Sequence, residues 1–411
     1  MRVILHSDLN NFYASVEELY NPEFKDKFLA VCGSVEDRHG IVLAKNLRAK
    51  KMGIKTGMTL KEAFDLCPNL VTVEANFERY LIYSKKVKDI YRKYTDQIES
   101  FGIDEAWLDV THSQIFGSGV EIADKIREEV RNLGLTCSIG VSFNKVFAKL
   151  GSDLKKPDAT TLISYENFKE VVWSLSADEM LFVGRKTKQK LLKYNIKTIG
   201  DIARSDRGFL TKNLGKWGDY LYEFANGLDN SPVKMDGEND MIKSVGNSMT
   251  CYRDLTSLDD VKIMFSVLCD SVSARLLDYQ IGRASTVTIT VKDENLNSFT
   301  RQAQLEVPSV LSEDFYNLAV SLFIKNYDFK NSVRSLGVSV SNFSSGDMQT
   351  SLFSNEENYE KKVRLAKTVG GIRKKFGAGS LQKAIGLKDR KIARENPKDN
   401  HTIHPEGYLK K

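Results

Sequence analysis

The stretch 230–243, NSPVKMDGENDMIK, is polar, carries Pro and Gly and shows no apolar period, which marks a linker rather than part of a packed element. It divides a chain of 411 residues, already too long for one hydrophobic core, since single cores stop growing near ~250–300 residues. Each side must therefore bury its own apolar surface. The material suffices: 41% of residues are hydrophobic and 10% aromatic, and seven prolines argue against a mostly disordered chain.

Periodicity assigns a character to each part. Up to about residue 165, short apolar runs (Val3 to Leu5, Phe28 to Cys32, Ile41 to Ala44, Thr136 to Val141) alternate with helical stretches at 76–93 and 120–133, the pattern of an α/β or α+β domain. From 166 to 230, Leu181, Val183, Leu191, Leu192, Ile196, Ile199 and Ile202, punctuated by Gly184 and Gly200, predict a small helical module. Beyond the linker, Val261, Met264, Phe265, Leu268, Val272 and Leu276 keep helical spacing. Val287, Ile289 and Val291 alternate with Thr286, Thr288 and Thr290, and Leu336, Val338 and Val340 repeat the alternation, as half-buried strands do. There is no internal repeat, and a charge-dense tail follows Gly346.

Several classes of protein are disfavoured. No run approaches the ~20 apolar residues of a membrane span, and the N-terminal run is too short for a secretory signal, so a cytoplasmic, non-membrane protein is expected. The five cysteines, Cys32, Cys67, Cys137, Cys251 and Cys269, are scattered without C-x-x-C spacing; they are expected to be buried thiols, not a disulfide framework or a zinc site. The net charge of +6 is misleading. From Asn355 onward there are 15 Lys or Arg against 7 Asp or Glu, a net of +8, so the first 354 residues sum to −2. Contact with nucleic acid in the body must come from local stripes rather than a global field.

Asp8 closely follows one apolar run, and Asp104-Glu105 lies between Ile103 and a second, Ala106 to Val110. Strand neighbours point to opposite faces, so these adjacent acids share a metal only if a bend re-aims one of them. If the strands pair, Asp8 and Asp104 become close like charges that call for cations between them. Two Mg²⁺ ions ~3.5–4 Å apart, as in two-metal phosphoryl chemistry, meet that need. Nucleotidyl cyclases and nucleases use the same logic, and the plainer alternative makes Asp8 a turn residue and Asp104-Glu105 a solvated edge.

The segments His6-Ser7-Asp8-Leu9-Asn10-Asn11-Phe12-Tyr13-Ala14-Ser15-Val16-Glu17-Glu18 and Gly102-Ile103-Asp104-Glu105-Ala106-Trp107-Leu108-Asp109 resemble the two catalytic motifs of Y-family DNA polymerases. Gly140 to Leu150 followed by Asp153-Leu154-Lys155-Lys156-Pro157 is similar to the family's palm signature, and the resemblance covers roughly 1 to 345. It implies an α+β multi-domain right hand: palm over 1–10 and 75–165, small fingers over 11–74, a helical thumb over 166–230 with a helix-hairpin-helix, linker 231–243, a C-terminal α/β little finger over 244–345, and a basic tail over 346–411.

The function so implied is low-fidelity translesion synthesis, with nucleotidyl transfer from dNTP to a primer 3′-OH, in bacterial DNA repair and replication after DNA damage, of the DinB/UmuC class. Asp8, Asp104, Glu105 and the Leu9 carbonyl would hold the two Mg²⁺ ions. Tyr13 would be the steric gate against a ribose 2′-OH, and Phe12, Tyr13, Lys50 and Lys156 would line the nucleotide site. Here the sequence departs from its relatives: Leu47 replaces an aromatic residue, Lys50 an arginine, and Gly102 a common serine. Leu47 cannot donate a hydrogen bond, whereas Lys50 keeps a point charge.

Phe182 to Leu192 resembles a helix-hairpin-helix, with Gly184, Lys186, Thr187 and Lys190 beside a DNA phosphate. Arg283, Arg301 and Arg334, with Thr286, Thr288 and Ser335, would track the template backbone. Gln349-Thr350-Ser351-Leu352-Phe353 resembles the peptide by which bacterial polymerases dock on the sliding clamp, Leu352 and Phe353 entering an apolar pocket and Gln349 anchoring. Primer-template DNA, dNTP, the clamp and SOS accessory proteins are the implied partners of a monomer. Two alternatives remain, a palm-type nucleotidyl cyclase and a catalytically silent DNA- or clamp-binding protein.

Overall fold

The computed structural model describes residues 1–33, 40–238, 242–344 and 356–394. They form two compact units, 1–33 with 41–238, and 242–344 with 356–394. In the first, β1 (Ile4–Leu9) leads into α1 (Phe12–Tyr20), then β2 (Leu29–Cys32), β3 (Val42–Lys45), α2 (Leu47–Lys51), α3 (Leu60–Leu66) and β4 (Val71–Glu74). Next come α4 (Phe77–Tyr91), β5 (Ile98–Ser100), β6 (Glu105–Asp109), α5 (Gly119–Asn132), β7 (Cys137–Ser142), α6 (Lys145–Leu154) and β8 (Thr160–Ile163).

The main sheet has the order β5-β6-β1-β7-β8, with β1 antiparallel to both its neighbours. On one face Leu5, Leu9, Ala106, Leu108 and Ile139 share a core with Val87, Ile90 and Tyr91 of α4 and Ile122 and Ile126 of α5. The other face receives α6, and one glycine lets it approach: a Cβ on Gly140 would stand 1.9 Å from the Ala148 carbonyl oxygen. Only a residue without a side chain fits there. Strands β3-β2-β4 make a separate small sheet whose core includes Ala30, Val42, Ala49, Leu60 and Ala63.

Five helices follow: α7 (Phe168–Val172), α8 (Arg185–Lys193), α9 (Ile199–Arg204), α10 (Arg207–Leu214) and α11 (Lys216–Ala225). Their core is continuous with Val146, Phe147 and Leu150 of α6. The segment after them is no free tether over 231–236. Val233 is 3% exposed against Ile4, Trp107 and Ala148, Lys234 N donates to Glu99 at 3.1 Å, and Arg92 pairs with Asp236 at 2.6 Å. One apolar residue and a few hydrogen bonds suffice, and neither produces a period in the sequence.

The second unit runs β9 (Ser244–Leu255), α12 (Leu258–Tyr279), β10 (Arg283–Asp293), β11 (Ser298–Ser309), α13 (Ser312–Asn326) and β12 (Val333–Ser344). Its antiparallel sheet has the order β11-β10-β12-β9, and Val287, Ile289, Val338 and Val340 pack with Phe265, Leu268, Phe315 and Phe323 of the two helices. The basic tail folds back on this unit instead of staying in solvent. After α14 (Glu356–Phe376), Arg373 and Lys383 meet Asp270, Lys388 meets Asp259, and Asp389 meets Arg253. Ile392, in α15 (Arg390–Arg394), is fully buried in the core. Opposite charge on α12 holds what looked like a solvated run.

All five cysteines are free and buried, as expected. Among the described residues, no helix is long and apolar enough to cross a membrane.

Candidate active site

In the antiparallel register of β1 and β6, Asp8 stands directly opposite Glu105. Asp104 lies outside the strand, in the 101–104 turn that joins β5 to β6. Phe101 N and Gly102 N both donate to the Glu105 carbonyl at 3.1 and 3.3 Å, and Leu9 N donates to the Asp104 carbonyl at 3.0 Å. The two adjacent acids therefore do not alternate across a strand: the turn supplies the bend that the sequence required. A Cβ on Gly102 would already lie 3.2 Å from Asp104 Oδ1 and from Glu105 Cγ, so a serine there would have to displace these carboxylate side chains slightly.

Two lysines from the α6 side complete the charge pattern. Lys149 Nζ donates to Glu105 Oε2 at 2.8 Å and lies 3.9 Å from Asp8 Oδ2. Lys156 Nζ lies 2.9 Å from Asp8 Oδ2 and 2.8 Å from Asp153 Oδ1. The loop bearing Lys156 is fastened by Asn10, whose Oδ1 accepts from Asp158 N at 2.8 Å while its amide donates to Ser138 Oγ at 3.1 Å. Beneath Glu105 sits fully buried His6, with Nδ1 2.9 Å from Ser152 Oγ and Nε2 3.5 Å from Glu105 Oε2. Burial lowers the pKa of His6.

The two neighbouring acids are pushed in opposite directions. Burial, then the like charges of Asp8 and Glu105, push Asp104 up to about 6. Burial also raises Glu105, but His6 and the Lys149 ammonium outweigh it and hold the carboxyl down to about 2. On the other side, Lys88 of α4, only 4% exposed, lines a narrow crevice with Ser84, Tyr91, Ile103 and Asp104, and burial followed by Arg92 brings its ammonium down to about 8. Among the described residues, no three His, Cys, Asp or Glu side chains stand ready to hold a metal ion. Lys149 and Lys156 take the carboxylate oxygens instead.

Above the carboxylates opens a cavity of about 360 Å³, lined by Asp8, Asp104, Leu9, Phe12, Tyr13 and Lys45 among others, within the usual range for ligand clefts of ~300–1,000 Å³. Asn11 makes it possible by adopting a left-handed conformation, φ 49°, as N-cap of α1, a geometry Asn tolerates better than most residues. The chain thus turns sharply from Asp8 to put Phe12 and Tyr13 over the cavity. Tyr13 stacks on Tyr80 with ring centroids 4.3 Å apart and planes at 10°. Tyr80, fully buried, donates its hydroxyl to Glu17 at 2.8 Å. Of the other candidates, Lys156 sits on Asp8 as above, whereas Lys50 is exposed on α2 and Leu47 is 41% exposed; neither lines the cavity.

Residues 7–153 match the impB/mucB/samB family and residues 242–352 its C-terminal domain. The chain is 49% identical to DNA polymerase IV of Acetivibrio thermocellus over 96% of this chain and 99% of that protein. It is 36% identical to DNA polymerase IV of Clostridium kluyveri over 95% and 99%. The chain belongs to the Y-family DNA polymerases. Among solved structures it resembles a Y-family DNA polymerase chimera of Dbh and Dpo4, with a TM-score of 0.73 at 26% identity over 83% of this chain and 99% of that one. It also resembles DinB from Sulfolobus solfataricus, with a TM-score of 0.54 at the same identity and coverage. The fold is accordingly the family's right hand, with palm, small fingers, helical thumb and α/β little finger.

For a Y-family polymerase, the placement of the DNA-side candidates matters next. Gly184 is the N-cap of α8 with no side-chain cap, Lys186 and Lys190 are exposed on that helix, and Thr187 is half-buried between them. The left-handed residue of this turn is Phe182, φ 70°, not Gly184. In the second unit, Arg283 lies 4.7 Å from the ring of Tyr359 in α14. Arg301 faces the helix-covered side, opposite Ile289, and donates to Asn326 Oδ1 at 3.1 Å. Arg334 falls where the register of β12 shifts between Val333 and Ser335. Gln349, Leu352 and Phe353 lie outside the described residues.

On the opposite face of that sheet, sequence reasoning singled out Thr286, Thr288 and Ser335 but not the extent of the face. Across the four strands its rows read Gln304-Thr286-Ser341-Ser244, Gln302-Thr288-Ser339-Gly246, Thr300-Thr290-Gly337-Ser248 and Ser298-Lys292-Ser335-Thr250. One lysine stands among small hydroxyl, amide and glycine positions. The alternating threonines pointed to its centre, whereas the positions that β9 and β11 add to each row depend on strand pairing. Lys45, Lys88 and His6 were missed too: each derives its character from long-range neighbours.

Proposed function

We propose that this polymerase copies damaged templates by adding dNTP to a primer 3′-OH, with Asp8, Asp104, Glu105 and the Leu9 carbonyl holding two Mg²⁺ ions. The observation that carries this reading is the crowding of Asp8, Glu105 and Asp104, hard oxygen donors that suit Mg²⁺, two of which are held by lysines rather than set as a ready-made metal cage. Burial, then the like charges of Asp8 and Glu105, push Asp104 up to about 6, so the cluster gains by taking up cations. Metals bound there would lower the pKa of the primer hydroxyl and stabilise charge in the in-line transition state. The primer oxygen forms a bond to the α-phosphorus as the bond to the β-phosphate oxygen breaks, and pyrophosphate leaves with the electron pair.

The protein's own groups then orient and exclude. Lys149 and Lys156 neutralise Glu105 and Asp8; with metal held by the carboxylates, Lys156 would be free to meet the triphosphate, with Lys50 adding charge from outside the cavity. Phe12 and Tyr13 close over the sugar, and the Tyr13 ring, backed by Tyr80, blocks a 2′-OH. Small fingers leave the nascent pair loosely enclosed, which favours damaged templates over fidelity. Primer-template phosphates meet Gly184, Lys186, Thr187 and Lys190 of α8, while Arg283, Arg334 and the hydroxyl face carry the template duplex; Arg301, on the helix-covered side of that sheet, is left out of this contact. Gln349, Leu352 and Phe353 dock the enzyme, a cytoplasmic monomer, on the sliding clamp, alongside SOS accessory proteins.

The test is primer extension with Mg²⁺ on undamaged and abasic templates, comparing wild type with Asp104→Ala, Glu105→Ala. Extension and bypass by wild type alone, a drop of ~10⁴-fold or more in the variant, is the expected result. If neither protein extends a primer that both bind, a silent DNA-binding role replaces this reading. Changing Leu352 and Phe353 to Ala should abolish clamp capture and spare clamp-free extension.

A further inference from the structure

Among the described residues, the cavity has carboxylates at one end and one basic residue elsewhere, Lys45. Lys45 ends β3 and donates to Thr56 Oγ1 at 2.9 Å; among the described residues no Asp or Glu pairs with it. Its surroundings are unfavourable for a charge, since partial burial and then the neighbouring Lys50 lower its pKa. A half-buried ammonium held beside another cation, without a counter-charge, is an arrangement a protein relieves by binding an anion. Lys50, by contrast, is exposed outside the cavity, and Leu47 offers no donor at all.

We infer that Lys45 is a substrate-binding residue of this enzyme, the cation inside the cavity that meets the β- and γ-phosphates of the incoming deoxynucleoside triphosphate. The inference rests on the reading that this cavity takes dNTP, and it goes further by naming which residue answers the outer phosphates where Leu47 leaves a gap. With Asp8 and Asp104 marking the reacting end, a triphosphate extended toward β3 brings its terminal charge to Lys45. Thr56 holds the ammonium without neutralising it, which preorganises the contact.

The experiment measures equilibrium binding of dNTP, dNDP and dNMP to the full chain on a dideoxy-terminated primer-template, so that no chemistry intervenes. Lys45→Met should weaken dNTP binding roughly tenfold to a hundredfold, the range of a charge-assisted contact. It should leave dNMP binding within about twofold, because the monophosphate lacks the outer groups, and exceed the effect of Lys50→Met. Lys45→Arg should recover most of the loss. In primer extension the Lys45→Met defect should appear in KM more than in kcat.

An equal loss for all three nucleotides, no rescue by Arg, or a larger loss from Lys50→Met overturns the assignment. A lowered melting temperature together with that uniform loss identifies Lys45 as structural and overturns it equally. If wild type binds no dNTP, the proposed function falls and this inference with it. If wild type binds and Lys45→Met binds equally well, only this inference falls.

Discussion

The two large sheets handle charge in opposite ways. The β5-β6-β1-β7-β8 sheet gathers Glu105, Lys149, Asp8 and Lys156 into a chain of ion pairs, with Asp104 and Lys88 crowded beside them. The β11-β10-β12-β9 sheet presents a face of Ser, Thr, Gln and Gly with one lysine. Each is flanked by a conventional apolar core, so packing does not explain the difference. Coulomb energy concentrated at one point can select a single transition state, whereas a surface that must accept any sequence, including damaged ones, is better served by short neutral donors without strong preferences. On the proposed reading, specificity and tolerance fall on different sheets.

The strongest challenge to the first half is steric. Tyr13 is held by stacking on Tyr80, so removing its ring should open the cavity to ribonucleotides by on the order of 10²-fold. Incorporation of rNTP against dNTP by Tyr13→Ala checks this, and unchanged sugar discrimination would show that the rigid, charged sheet does not extend its selectivity to the sugar.

Charge concentration should also be visible without substrate. Asp104 has its pKa pushed up from 3.8 to about 6, so the folded state holds that proton more tightly than the unfolded chain, and stability falls as pH rises from about 4 to about 6. Glu105 is held down from 4.5 to about 2; its contribution is present above pH 4.5 and lost as pH falls toward 2. In metal-free buffer at pH 7, Asp104→Asn should therefore stabilise the protein by ~1–3 kcal/mol and Glu105→Gln destabilise it by a similar amount, allowing for solvent screening. Denaturant melts in EDTA measure both. Adding Mg²⁺ should shrink or reverse the Asp104→Asn gain, and a variant equally stable with and without metal would refute the strained-cluster account.

Much of this first sheet was legible in the sequence because its determinants are local. Apolar runs of strand length ending in acids placed Asp8 and Asp104-Glu105 at strand ends, and the expectation of a bend between Asp104 and Glu105 was met by the 101–104 turn. What escaped depends on contacts between distant segments. Lys45 becomes a cavity cation only because β3 lies across from Asp8, and Lys88 only because α4 crosses behind Ile103. Strands β9 and β11 went unseen because Asn247, buried against Ser271, and the polar run Thr300 to Gln304 break the alternation. The tail read as solvated charge because its partners, Asp259, Asp270 and Arg253, lie more than a hundred residues away in sequence.

The smallest effect is the most informative about the second sheet. If its hydroxyl face meets duplex DNA through neutral hydrogen bonds, changing Thr288 and Thr290 together to Ala should weaken primer-template binding only about threefold to tenfold, a loss of ~0.5–1.5 kcal/mol. The dependence of affinity on salt should not change, because no phosphate-neutralising charge is lost. Lys186→Ala, on the exposed side of α8 in the first unit, should behave differently, reducing the slope of log K against log salt by about 1 while affecting all sequences alike. Binding titrations from low to moderate salt separate the two. A reduced slope in the threonine variant would mean that its face recruits charge from Lys292 or the neighbouring arginines, and the contrast between a charged sheet for chemistry and a neutral one for tolerance would then give way to a graded distribution of charge over both.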